Sequence, residues 1–151
     1  MKRFLTVCAM LCLPFAALAD GYAKVFKAEG AFKDVRDSVQ MAIEGKGLVI
    51  NHTNQIAGML ERTGKDLGAT KQVYVQGEQF EFCSATISRR MMEADARAIT
   101  MCPYIVSVYT VPGDPNVYIA YRRPPATGNA ALDKALGEVA TLLDEIIEEA
   151  M

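Results

Sequence analysis

The sequence predicts an α+β domain of two layers, with helices packed on one face of a mostly antiparallel sheet. Three observations predict it. Stretches of alternating apolar residues, such as 73–82 and 104–111, read as strands. Stretches with apolar residues three and four apart, such as 31–46, read as helices and fall between the strands. Residues 104–111 and 117–121 are joined by Pro112-Gly113-Asp114-Pro115-Asn116, a loop of turn formers that makes a hairpin and hence an antiparallel pair.

Residues 1–19 are set apart before the fold is built. Met1-Lys2-Arg3 is a basic start, residues 4–18 carry no charge and are mostly apolar, and Ala17-Leu18-Ala19 fits a small-x-small cleavage site ahead of Asp20. That is the layout of a secretory signal peptide. The apolar stretch is shorter than the roughly 20 residues a membrane-spanning helix needs. The expectation is an exported protein, periplasmic or secreted, with a single domain over residues 20–151 and no membrane insertion after cleavage. Cys8 and Cys12 leave with the leader, while Cys83 and Cys102 stay.

Without Lys2 and Arg3, fourteen basic side chains face eighteen acidic ones, a formal net charge of −4. A mildly acidic domain lacks the basic footprint that nucleic-acid binding requires, and it is poorly suited to adsorb on anionic lipid.

Taken in order, residues 22–28 read as a first strand. Residues 31–46 form a helix carrying Phe32, Val35, Val39 and Ile43, stopped by Gly45 and Gly47. Residues 48–51 are a short strand with His52 at its end. A helix over 55–63, capped by Thr53 or Asn54, carries Ile56, Met59 and Leu60. Residues 72–82 form a long strand or a hairpin kinked at Gly77, and 86–99 a helix. The hairpin strands follow. Residues 122–129 then link to a last helix over 132–147, with Gly128-Asn129 supplying a turn and a cap. Along that helix Leu132, Leu136, Val139, Leu143 and Ile146 form a narrow seam. The seam is laid on the sheet or shared with a second copy. Glu148 and Glu149 sit at the wrong end of the helix dipole, so the last turn is expected to fray.

Strand-Phe82-Cys83, a helix, then Cys102-Pro103 opening a strand that ends in Val108-Tyr109, resembles the domain of unknown function 302 family. The upstream Gly47-Leu48-Val49-Ile50 fits the same pattern, and the resemblance spans roughly residues 26–123. The chain departs from the family's usual motifs. Its proline follows the second cysteine where members place it before, and Cys83-Ser84-Ala85 stands where many have Cys-Asn-Pro. The resemblance implies a compact α+β fold that often dimerises, and no assigned reaction.

Three readings of Cys83 and Cys102 stay open. They can form a disulfide, favoured by an oxidising compartment and an even cysteine count. Closing about 20 residues would stabilise the fold by about 3 kcal/mol. Geometry opposes this if the intervening helix crosses between parallel strands, because the two cysteines then lie at opposite ends of the sheet. They can instead be buried thiols that pack as small hydrophobes. Or they can join His52, the one histidine of the chain, and methionines among Met59, Met91, Met92 and Met101 in a site for copper(I) or haem.

No catalytic motif is present. There is no Cys-x-x-Cys, no nucleophile elbow near Ser84 or Ser88, and no phosphate loop around Gly45-Lys46-Gly47. Glu78 and Glu81 point to opposite faces of their strand and are no carboxylate pair. The expected function is therefore a non-enzymatic, exported binding or accessory domain, a homodimer, with a small-molecule or protein partner and no cofactor. Its pocket is expected between helices and sheet near Cys83 and His52. The alternative is a periplasmic redox or metal- or haem-handling protein using Cys83, Cys102 and His52.

Overall fold

A computed structural model describes residues 21–151; the expected signal peptide, with Cys8 and Cys12, lies outside the described residues. Strands β1 (Ala23–Ala28), β2 (Ile50–Asn54), β3 (Gln76–Phe82), β4 (Tyr104–Thr110) and β5 (Val117–Arg122) make one sheet in the order β1-β5-β4-β3-β2, antiparallel throughout. The helices are α1 (Phe32–Gly45), α2 (Ile56–Gly64), α3 (Ala85–Ala94) and α4 (Ala130–Ala150), with a 3-10 helix over Ala96–Met101. The α+β class predicted from the alternating and helical periodicities is the class observed.

Strand alternation divides the sheet into two faces. Phe80, Phe82, Tyr104, Val106, Val108, Val117, Ile119 and Tyr121 are buried and point one way. Val35, Val39 and Ile43 of α1, Met91 of α3 and the α4 seam meet them there. All five seam residues of α4 are at most 4% exposed. The seam is thus spent within this chain, which settles the choice left by its spacing. Full burial of such aliphatic and aromatic side chains stabilises by roughly 1.5–3 kcal/mol each, so this layer holds the fold.

The ends of the elements show which local forces won. Asn129 caps α4: its side-chain oxygen accepts from the N–H groups of Ala131 and Leu132, and its amide donates to Ala94 O at the end of α3. Helix α4 does not fray at Glu148 but continues to Ala150. Lys46, just past α1, places its ammonium 3.4 Å from Glu145 and 3.3 Å from Glu149, supplying the cation its own last turn lacks. Helix α2 begins without a side-chain cap, its N-cap being Gln55, because Asn54 belongs to β2 and its amide donates to Glu81.

The helix expected over 86–99 is broken at Asp95. Its carboxylate accepts the N–H of Arg97 and pairs with the Arg97 guanidinium, starting the 3-10 segment. Strand β2 is shifted toward its polar half. The segment Ile50–Asn54 is an edge strand, so His52 and Asn54 can be polar and still pair. Glu78 and Glu81 do face opposite ways. Glu78 bonds Arg36 of α1 at 3.0 Å, and Glu81 meets Asn54 on the other side.

That other face is left largely uncovered. It presents Val25, Gln79, Ile105, Ser107, Tyr109, Tyr118 and Ala120. Helix α2 approaches it at Gly77, where an added Cβ would meet Ala57 at 3.6 Å. Tyr109 stacks on Tyr118 at 5.3 Å and meets Tyr74 edge-on at 5.5 Å.

Candidate functional site

The register of β3 on β4 builds the cysteine cluster. Phe82 lies opposite Tyr104, so Cys83 follows the end of one strand and Cys102 precedes the start of its neighbour. The two therefore share one end of the sheet. The arrangement with cysteines at opposite ends, expected for parallel strands, is overturned. The strands are antiparallel, and the 3-10 segment returns the chain to the end it left.

Ser84 then caps α3 by accepting from the N–H of Ile87. One turn on, Ser88 N–H donates to Ser84 O at 2.8 Å and its side chain turns back toward the strand ends. Ser88 Oγ lies 3.1 Å from Cys102 Sγ and 3.0 Å from the Tyr104 hydroxyl, which in turn lies 3.5 Å from Met91 Sδ. Ser88 is the one buried polar side chain among the described residues. A buried hydroxyl with two partners loses little on leaving water.

Both thiols are free and partly exposed. Burial, with Cys102 as a neighbour, pushes the Cys83 thiol up to about 11 against the Tyr104 backbone and the Ser88 side chain, which favour the thiolate. Burial likewise pushes the Tyr104 phenol up to about 12. At neutral pH this cluster is protonated at both of those groups.

His52 stands apart. It is exposed and pairs with Glu81 on the uncovered face. Among the described residues no hydrogen bond joins it to either thiol, and no group of three or more His, Cys, Asp or Glu side chains is gathered as a metal site. Met91 is drawn into the cluster through Tyr104.

A cavity of about 450 Å³ adjoins the cluster through Met91, Met101 and Tyr104. Its lining falls into two groups. Buried residues, among them Met91, Val108, Leu136 and Leu143, enclose an internal part under α3 and α4. Val25, Ile105, Ser107, Tyr109 and Ala120 line a part on the uncovered face. Arg122 and Arg123 also contribute. Cys83, Cys102 and His52, around which a pocket was expected, are not among the residues that line this cavity.

The sequence did not pair Tyr104 with Ser88, since the contact depends on α3 folding back over β4. The signal it held was Tyr104 itself, a polar-tipped residue in line with the inward Val106 and Val108, whose hydroxyl needs a buried partner.

These features define a small α+β domain with an antiparallel sheet, one covered face and a mixed apolar cavity. The family model for the domain of unknown function DUF302 matches residues 24–150, and the chain belongs to that family. Among solved structures, the crystal structure of an uncharacterized conserved DUF302 protein from Bacillus stearothermophilus is similar, with a TM-score of 0.73 at 10% identity. That match covers 86% of this chain and 98% of the other, and at such identity it speaks for the fold alone. No curated protein matches the sequence. Among the described residues no helix is long and apolar enough to cross a membrane.

Proposed function

We propose that this is an exported, non-enzymatic binding domain whose ligand is a small, largely apolar molecule with an acidic group. The observation that carries the reading is the cavity. Taken whole, its two parts together measure about 450 Å³, within the range of small-molecule sites, roughly 300–1,000 Å³. Its walls are mainly aliphatic and aromatic, with a few polar groups such as Gln79 and Ser107, themselves hydrogen-bonded at 3.1 Å. The Tyr109 ring offers a stacking surface, and the arginine pair gives an acidic substituent a cationic neighbour. Export rests on the composition of residues 1–19. Homodimerisation, implied by the family, would use a surface other than the α4 seam, which is already buried.

Anilinonaphthalene sulfonate combines aromatic rings with one acidic group and serves as the probe. Titration of the folded protein is expected to give saturable one-to-one fluorescence enhancement, reduced at least tenfold by Ala120→Trp. Val25→Trp, at a half-exposed position on the same lining, gives the same reading with less burden on folding. A folded protein that does not bind the dye, or tryptophan variants that bind it as well as the parent, would overturn the reading.

A further inference from the structure

We propose that Cys83 and Cys102 are a dithiol–disulfide couple, a covalent modification site at the shared end of β3 and β4 whose co-reactant is a disulfide. Three observations carry this. First, antiparallel pairing with Phe82 opposite Tyr104 brings Cys83, one residue past β3, and Cys102, two residues before β4, to the same end of the sheet. A disulfide needs Cα atoms within about 7 Å, which two residues at one end of neighbouring strands can meet and residues at opposite ends of the sheet cannot. Second, Ser88 Oγ is 3.1 Å from Cys102 Sγ, and Cys102 and Ser88 are both near enough to the Cys83 thiol to shift its hold on its proton. Third, neither cysteine is fully buried, although Cys102 packs against the edge of the core.

The chemistry is thiol–disulfide exchange in two steps. Cys102, as its thiolate, attacks one sulfur of a disulfide R–S–S–R. The S–S bond breaks, one R–S⁻ leaves, and Cys102 carries a mixed disulfide. Burial holds the Cys83 thiol protonated, so Cys102 attacks first, with the Ser88 hydroxyl 3.1 Å from its sulfur and in reach to donate to the thiolate once it has formed. Cys83 Sγ then attacks Cys102 Sγ, the second R–S⁻ leaves, and the intramolecular bond is closed. The cysteines lose two electrons and two protons, and the co-reactant gains both as two thiols. Ser88 keeps its bond to Tyr104 throughout. The closed loop holds about 20 residues, all of α3 and the 3-10 segment within it, so oxidation fastens this crossover to the sheet. The inference does not depend on the ligand reading, and either can fail alone.

The test uses the folded full chain, reduced and then equilibrated with oxidised glutathione. Intact mass and non-reducing proteolytic mapping are the readouts. The expected result is loss of two hydrogens with a peptide linked through Cys83 and Cys102, and a melting temperature raised by roughly 5–10 °C. Cys83→Ser is expected to hold a stable glutathione adduct on Cys102, while Cys102→Ser reacts far more slowly. Should these variants not fold, the mapping of the parent chain decides by itself. A folded parent whose two thiols both remain alkylatable, or whose cysteines link only chain to chain, would overturn the proposal.

Discussion

Ser88→Ala probes the point where helix, strand and thiol meet. The hydroxyl has two contacts, with Tyr104 OH at 3.0 Å and Cys102 Sγ at 3.1 Å. Its loss leaves Tyr104, only 4% exposed, with the Met91 thioether at 3.5 Å as its remaining partner. Sulfur is a weak acceptor. The lost hydrogen bonding and the under-satisfied phenol each cost about 1 kcal/mol, so the variant is expected to lose about 2 kcal/mol. For a domain of about 130 residues that is a fall of roughly 7 °C in melting temperature. Urea titration should show the midpoint moving at unchanged slope. The diagnostic comparison is a cycle with Tyr104→Phe. If the hydroxyls support each other, Tyr104→Phe costs about 1 kcal/mol less in the Ser88→Ala background than alone. A neutral Ser88→Ala, or strictly additive variants, would refute the reasoning.

Two further outcomes follow from charges and thiols. Asp144 of α4 accepts from Lys24 Nζ and Tyr121 OH, both at 2.8 Å; burial opposes its ionisation, yet these bonds hold its carboxyl below the ordinary 3.8. A depressed carboxylate contributes stability that is fully present above its unfolded value and lost as pH falls through the folded one. The difference between parent and Asp144→Asn, about 1 kcal/mol at neutral pH, should therefore hold constant above about pH 5 and shrink below about pH 4, as read by denaturant titration across pH. For Cys83, raised to about 11, peptide-resolved alkylation by iodoacetamide should be slow at neutral pH and gain about tenfold per pH unit until about pH 10. A plateau near pH 8.5, the ordinary thiol range, would contradict the burial that sets it.

How far the sequence reached depends on what each residue's neighbours are. The α4 seam and the β3, β4 and β5 alternation were legible because one face of each is mostly apolar, and period alone then fixes orientation. β2 was misplaced because an edge strand tolerates polar residues, so His52-Thr53-Asn54 carried no pattern. The break at Asp95 was hidden in a run of alanines, and only the Arg97 contact reveals it. The cysteine pair was legible as two strand-end residues, but its distance was not, because that turns on whether β3 and β4 run parallel or antiparallel. The cavity was least legible of all. Its lining draws on strands β1, β3, β4 and β5 and on α3 and α4, joined by pairings of long sequence separation.

Binding of a small molecule in the void beside the aromatic cluster is the central proposal for this domain. Amide chemical-shift mapping of the isotope-labelled protein during titration with anilinonaphthalene sulfonate addresses this directly. The predicted result is a saturable set of shifts centred on Val25, Ile105, Ser107, Tyr109 and Ala120, with the solvent side of α4 unmoved. Shifts scattered over the surface without saturation, or confined to α4, would contradict it.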